Sequence, residues 1–511
     1  MNKRGPKLGK RALAALQNSD QKAQEPQTTE DFIEEGAQDE ESGDRWLGLD
    51  LSKALRFYQK AFSSYQKAIT LNNSGPESLH DAYYNALRLL FHVYSQYHKN
   101  DGVNLQKLTN VAEVLTGDEN SVVQHILAIV LAHQRSMAVD PDNVPLDLLF
   151  NTALVYTEAI DENEEYDLVA LYATIAQDFF RKVLKQQVNE FQDFLLFTLA
   201  LPENNEVPTS SSETPDSRAM YSSTKTAQPP DILDTVISGL QLCQAVLENM
   251  GRLVPSHGSP VNHIESFAQD LVTVADDLVQ NFTDSSKAAA IEESQRNEYL
   301  ISKTYVRALL CSDLAGVYLV WESANLPNIP QKFMLAADSI ECVLERLDLN
   351  TGASGPEDVL NLYWGALSKM NIYFKNAQEL LNEEYQAKKG PAVSVGVLID
   401  QICRVYIARS DIDLQRCQIQ NEQGQKNSQV LLNNAKAFLK NCMNLAKVSG
   451  GIRETAMEKA QRERRRYEAV SRLCLLEGKS TPEELNNILG SGMWEEDFAN
   501  YKDLWYFQRF L

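Results

Sequence analysis

The stretch ETAMEKAQRERRRYEAV places Lys459, Arg462, Arg464, Arg465 and Arg466 within one short helical register. Guanidinium forks hold carboxylates or phosphates through paired hydrogen bonds, so this cluster is a candidate basic patch for RNA, phosphate or an acidic protein surface. Glu458 stands four residues before Arg462, and ion pairing along one helix face is the competing reading. The histidines His80, His92, His98, His125, His133, His257 and His263 form no HExxH and no nearby Cys/His pattern of metal-site spacing. Gly478-Lys479-Ser480-Thr481 has the ending of a phosphate loop, but Leu473 occupies the position where its first glycine is required. There is no GxSxG, no GxGxxG and no cysteine-centred protease signature. The expectation is a protein that is not an enzyme and needs neither metal nor cofactor.

A second group is aromatic. Trp494, Phe498, Tyr501 and Trp505 lie close together near residue 511, with Phe498, Tyr501 and Trp505 spaced along roughly one helical face. Such rings either close the apolar end of a helical stack or offer a partner patch.

These groups belong to a chain with a formal charge of −22, which argues against general binding to nucleic acid or anionic membranes while leaving room for a local basic patch. No apolar run approaches the roughly 20 residues needed to span a bilayer, and the start does not read as a signal peptide. The seven cysteines form no CxxC pair and read as reduced, intracellular residues, mostly on helices.

The elements that carry these residues read as helices throughout. Residues 1–43 are expected to form a disordered basic-then-acidic tail, with Lys3, Arg4, Lys7, Lys10 and Arg11 followed by eight acids between Glu30 and Asp44. Residues 44–200 form an N-terminal helical-repeat region, 201–230 a Pro/Ser/Thr-rich polar loop or linker, and 231–450 a central helical-repeat region. Residues 451–511 supply the basic helix and the aromatic cap. In LSKALRFYQKAFSSYQKAITL the apolar residues recur at three and four positions, and Tyr65 is expected to fill the interior against the following helix.

Three helix-turn-helix recurrences bring in a family. The helix Ala61–Leu71 reads A-x-x-x-Y-x-x-A-I-x-L, and Tyr83-Tyr84-Asn85-Ala86-Leu87 has looser echoes at Leu149–Ala153 and Tyr363–Leu367. This pattern resembles the tetratricopeptide-repeat family, although its first-helix motif is degraded: leucine stands at Leu87 where the family has glycine. The resemblance implies an all-α fold, a right-handed superhelix of antiparallel helix pairs with one concave groove. It also implies that Asn85 and Asn151 point into that groove with Arg88 nearby. Gly365 fills the third equivalent position, so the family's carboxylate clamp is not expected.

The function expected from these features is a non-catalytic scaffold, escort or adaptor. Its partner would be a protein client, basic in character, in a nuclear or ribosome-related assembly, and its place cytoplasmic, nuclear or both. The alternative is an RNA-associated scaffold, within an RNA-containing complex, that uses the basic start and the arginine-rich helix.

Overall fold

The computed structural model describes residues 26–163, 165–200, 227–249, 261–283, 290–349, 352–390, 393–490 and 494–511. The basic start and nearly all of the 201–230 segment lie outside them. Among the described residues the protein is all-helical, with 17 α-helices packed in neighbouring pairs and no strand. The chain divides into two compact units. One comprises Asp142–Leu310. The other joins Asn2–Pro141 to Cys311–Leu511. The expected boundaries near residues 200 and 450 are therefore displaced, because the larger unit is assembled from two separated stretches of chain.

The larger unit opens with α1 (Thr29–Leu47), α2 (Leu51–Leu71), α3 (Pro76–Val93) and α4 (Ile126–Met137). The acidic end of the expected tail is α1. Thr28 caps it, taking the Asp31 amide on its side chain while Asp31 reaches back to the Thr28 amide. Its buried stripe is Ile33, Gly36, Ala37, Glu40 and Gly43 at helical spacing, and it lies antiparallel on α2: Thr29 meets Asn73, Ser64 meets Glu35, and Tyr58 donates to Asp44. Glycine is required at Gly36 and Gly43, because a side chain at either position would run into the ring of Tyr65 or Tyr58. Tyr65 is fully buried as expected, but the neighbour it fills against is the preceding helix, where its hydroxyl donates to Glu40.

The same unit continues with α10 (Leu314–Ser323), α11 (Pro330–Arg346), α12 (Glu357–Lys388), α13 (Gly396–Arg416), α14 (Glu422–Ala446), α15 (Ala456–Leu476), α16 (Pro482–Leu489) and α17 (Glu495–Asp503). Helices α11 to α15 pack in sequence, each on the next, and α13 also packs on α15. The two stretches meet at α15. The Ala456 amide donates to the Gly48 carbonyl at 2.8 Å, and Gly102 lies so close to the backbone of Gln461 that a Cβ would collide with it. Arg465 reaches Asp101 across the same contact.

The other unit holds α5 (Leu146–Asp161), α6 (Tyr166–Ala200), α7 (Pro229–Asn249), α8 (Val261–Phe282) and α9 (Glu293–Leu309). Helix α7 is buried on nearly every side, with α5, α6, α8 and α9 packed around it. Polar ties fix the register, among them Tyr299 donating to Asp276 at 2.7 Å and Gln295 donating to the Pro230 carbonyl at 2.8 Å.

Candidate functional site

The larger unit contains a cleft of about 460 Å³, formed by α11, α12, α13, α15 and the segment Asp503–Tyr506. Its composition follows from helical periodicity. Asp338, Glu341 and Glu345 fall on one face of α11 at spacings of three and four. Helix α12 contributes Tyr363, Leu367, Met370 and Phe374 at the same period, and α13 contributes Arg404, Ile407, Ala408, Asp411, Ile412 and Gln415. Glu468 and Arg472 come from α15, four residues apart. Asp503 and Trp505 approach from the last segment.

Six carboxylates and three guanidiniums line this space. The guanidiniums are all held by acids. Arg472 grips both oxygens of Asp411 at 3.1 and 3.2 Å and donates to the Tyr501 hydroxyl at 3.0 Å. Burial opposes its charge most strongly, but Asp411, Tyr501 and Glu468 together outweigh the burial and hold Arg472 protonated above the usual range. Arg465 binds Asp400, Glu468 and Asp101, and Arg404 binds Asp400 at 2.8 Å. The carboxylates exceed the cations, and the lining feels the resulting negative field. Burial pushes the Tyr363 and Tyr506 phenols well above the ordinary phenol range, and Glu341 adds to both shifts. The cleft therefore combines an apolar and aromatic floor with a negative rim, the combination that favours a cation carried on an aliphatic stem.

The expected groove does not assemble. Asn85 is fully buried on α3, so it cannot face a client. Arg88 lies against Glu40, its guanidinium 2.5 Å from one carboxylate oxygen and 2.6 Å from the other, which places it in the packing of α1 against α3 rather than in a groove. Asn151 belongs to the other unit, half-buried on α5, with its side-chain nitrogen buried and without a hydrogen-bond partner among the described residues.

The basic patch is also dismantled. Arg462 pairs with Glu454 at 2.7 Å with both side chains buried, Arg464 grips Asp497 at 2.7 and 2.9 Å, and Arg465 is held as above. Lys459 and Arg466 remain exposed. The partners of these arginines are mostly distant in sequence, which is why local spacing suggested a free cationic face. In the aromatic group, Phe498 and Tyr501 are buried and run in tilted contact toward Phe507, while Trp494 meets Phe498 edge to face. Trp505 turns into the cleft. The cleft acids were missed, although the spacing of Asp338, Glu341 and Glu345 on one helix face was visible. Among the described residues no group of three His, Cys, Asp or Glu side chains is placed to hold a metal ion.

Fold and cleft together define an all-α protein with an acid-rimmed, aromatic-floored depression. Residues 328–503, which supply most of that depression, match the family described as YNL193W C-terminal domain. Over 510 aligned residues the chain is 22% identical to a Saccharomyces cerevisiae protein described as "Uncharacterized protein YNL193W", covering 88% of this chain and 90% of that one. No solved structure matches.

Proposed function

We propose that the protein is a non-catalytic scaffold or escort whose cleft holds a basic segment of a client protein. The observation that carries this reading is the excess of carboxylates over guanidiniums around an aromatic floor. Lysine or arginine side chains of the client would lay their methylene stems along Met370 and Phe374 and present their charges to Glu341 and Glu345. Trp505 would add a cation–π contact, worth about 0.5–1 kcal/mol at an exposed site. A chaperone-like adaptor of this kind suits a basic client in a nuclear or ribosome-related assembly, with the protein itself in the cytoplasm or nucleus. The helix pairs are compatible with a degenerate tetratricopeptide-like right-handed superhelix. The RNA-scaffold alternative loses Arg462, Arg464 and Arg465 to internal ion pairs.

The test is titration of the full chain with a fluorescent lysine- and arginine-rich peptide and with an acidic peptide of equal length. The basic peptide should bind, and added salt should weaken it mainly through the association rate. Glu341→Gln with Glu345→Gln should cost about 1–2 kcal/mol of that binding while leaving the helical signal unchanged. Equal affinity for both peptides, or an unaltered affinity in the double variant, would remove the cleft as the client site.

A further inference from the structure

Three loops of the larger unit are laced together at one end of its helices. Gly48, between α1 and α2, accepts from the Ala456 amide at 2.8 Å, and the Val395 amide donates to the Gly450 carbonyl at 2.9 Å. Ser394 donates to Glu458 at 2.7 Å, and the Gly451 backbone packs on the Val393 carbonyl. This cluster carries five exposed aliphatic side chains: Leu49 at 74% and Ile452 at 87% exposure, with Val393, Val397 and Val448 beside them. They stand on loops and on the first turn of α13. Isolated exposed aliphatics are ordinary, but here five stand on three interlocked loops.

The charge around this cluster is opposite to that of the chain. Lys389, Lys447, Arg453 and Lys459 are exposed on the same loops and adjoining helix turns. Lys447, Arg453 and Lys459 make no ion pair among the described residues. The neighbouring acids are turned inward: Glu454 pairs with the buried Arg462, and Glu458 accepts from Ser394 and from the Thr455 amide. Asp50 is the exposed acid beside Leu49, where it caps α2 by accepting from the Lys53 amide at 2.9 Å. A molecule of net charge −22 thus presents a local cationic collar around protruding aliphatics.

We propose that this loop end docks on an anionic lipid bilayer, with Leu49 and Ile452 entering the headgroup–acyl boundary and the collar of lysines and arginine meeting acidic headgroups. Exposed aliphatics on loops need no complementary groove to enter a bilayer, and a bilayer offers none. Each basic residue near such a surface adds attraction that decays within a Debye length of about 8 Å at physiological salt, so the acidity elsewhere on the chain is largely screened. Among the described residues no helix is long and apolar enough to cross a membrane, so the contact lies on the surface. The surface is separate from the cleft: along α13 the rise from Val397 to Arg404, the first residue of that helix to line the cleft, is roughly 10 Å. The inference therefore does not rest on the basic-client reading, and a membrane-bound protein would retain the cleft for a client.

The experiment is co-sedimentation of the full chain with vesicles of phosphatidylcholine alone and with vesicles containing phosphatidylserine. The phosphatidylserine vesicles should retain several-fold more protein, and the difference should shrink at high salt. Leu49→Asp with Ile452→Asp, and separately Lys447→Glu with Arg453→Glu, should each reduce retention at least fivefold with an unchanged helical spectrum and unchanged basic-peptide binding. A smaller double variant, Leu49→Ser with Ile452→Ser, keeps the test decisive if the aspartates perturb folding. Equal retention on both vesicles, or full retention by the folded variants, would overturn the proposal. So would a concentration-dependent dimer in vesicle-free buffer that the same aliphatic substitutions abolish, because the cluster would then be covered by a second copy.

Discussion

His133 shows how one buried side chain ties stability to pH. It lies fully buried on α4, and burial pushes its imidazole down to about 3. The folded protein therefore keeps the ring neutral under conditions where the unfolded chain, near 6.5, takes up a proton. Between those values the unfolded state binds more protons, so stability rises with pH. The contribution is complete above about pH 6.5 and is lost as pH falls toward 3, with a limiting slope of about 1.4 kcal/mol per pH unit. Carboxylates titrate in the lower part of this window, so the difference between wild type and His133→Gln isolates the imidazole. Denaturant unfolding between pH 5 and 8 should show wild type losing stability faster on acidification than the variant. Parallel curves would mean that the ring protonates in the folded state. Nothing in the sequence marked His133 as this residue among seven histidines, because burial is a property of what packs on α4 and not of its own spacing.

At the scale of elements, the helices were legible and their partners were not. The three-and-four spacing in Leu51–Leu71 marked its helix and its core tyrosine, and the spacing of the buried Phe498 and Tyr501 was visible too. Helix α1 escaped because its buried stripe is built from Gly36, Ala37 and Gly43, residues that add little to a hydrophobicity pattern yet let two helices approach closely. The arginine helix was misread for a related reason: Arg465 finds Asp101 and Asp400 only after folding has joined distant segments. The cleft acids on α11 had readable spacing, but only the packing of α12, α13 and α15 turns that face into a lined space. The α1 reading has a sharp test. Glycine-to-alanine substitution inside an exposed helix normally stabilises by about 0.5–1 kcal/mol. At Gly36 the added methyl would meet the buried Tyr65 ring, and overpacking costs about 1–3 kcal/mol, so the net effect should be destabilising. Thermal unfolding of Gly36→Ala should show a lower midpoint. A higher midpoint would mean that α1 does not rest on Tyr65.

For the whole molecule, the consequential feature is that the larger unit is completed by residues from both ends of a chain whose residues 142–310 belong to the other unit. Its two stretches are joined by backbone contact at Gly48 and Gly102 and by the acids gathered on Arg465. Bringing such distant segments together carries a loop-closure cost before any contact rewards it, which predicts slow formation of this junction. Once formed, the junction should couple α1–α3 to α15. Asp101 is the substitution that tests the coupling, since it is part-exposed while Arg465 is buried and retains Asp400 and Glu468. Asp101→Asn removes one charged partner and should cost about 1–2 kcal/mol, less than stripping a buried ion of its last counter-charge. In a coupled unit, amide hydrogen exchange should then accelerate together along α1–α3 and α13–α15, well beyond the loop around Gly102 and the turns of α13 and α15 that carry Arg404 and Arg465. Acceleration confined to residues near 98–103 would show that the two stretches open independently and that the matched region 328–503 holds its structure without the N-terminal helices.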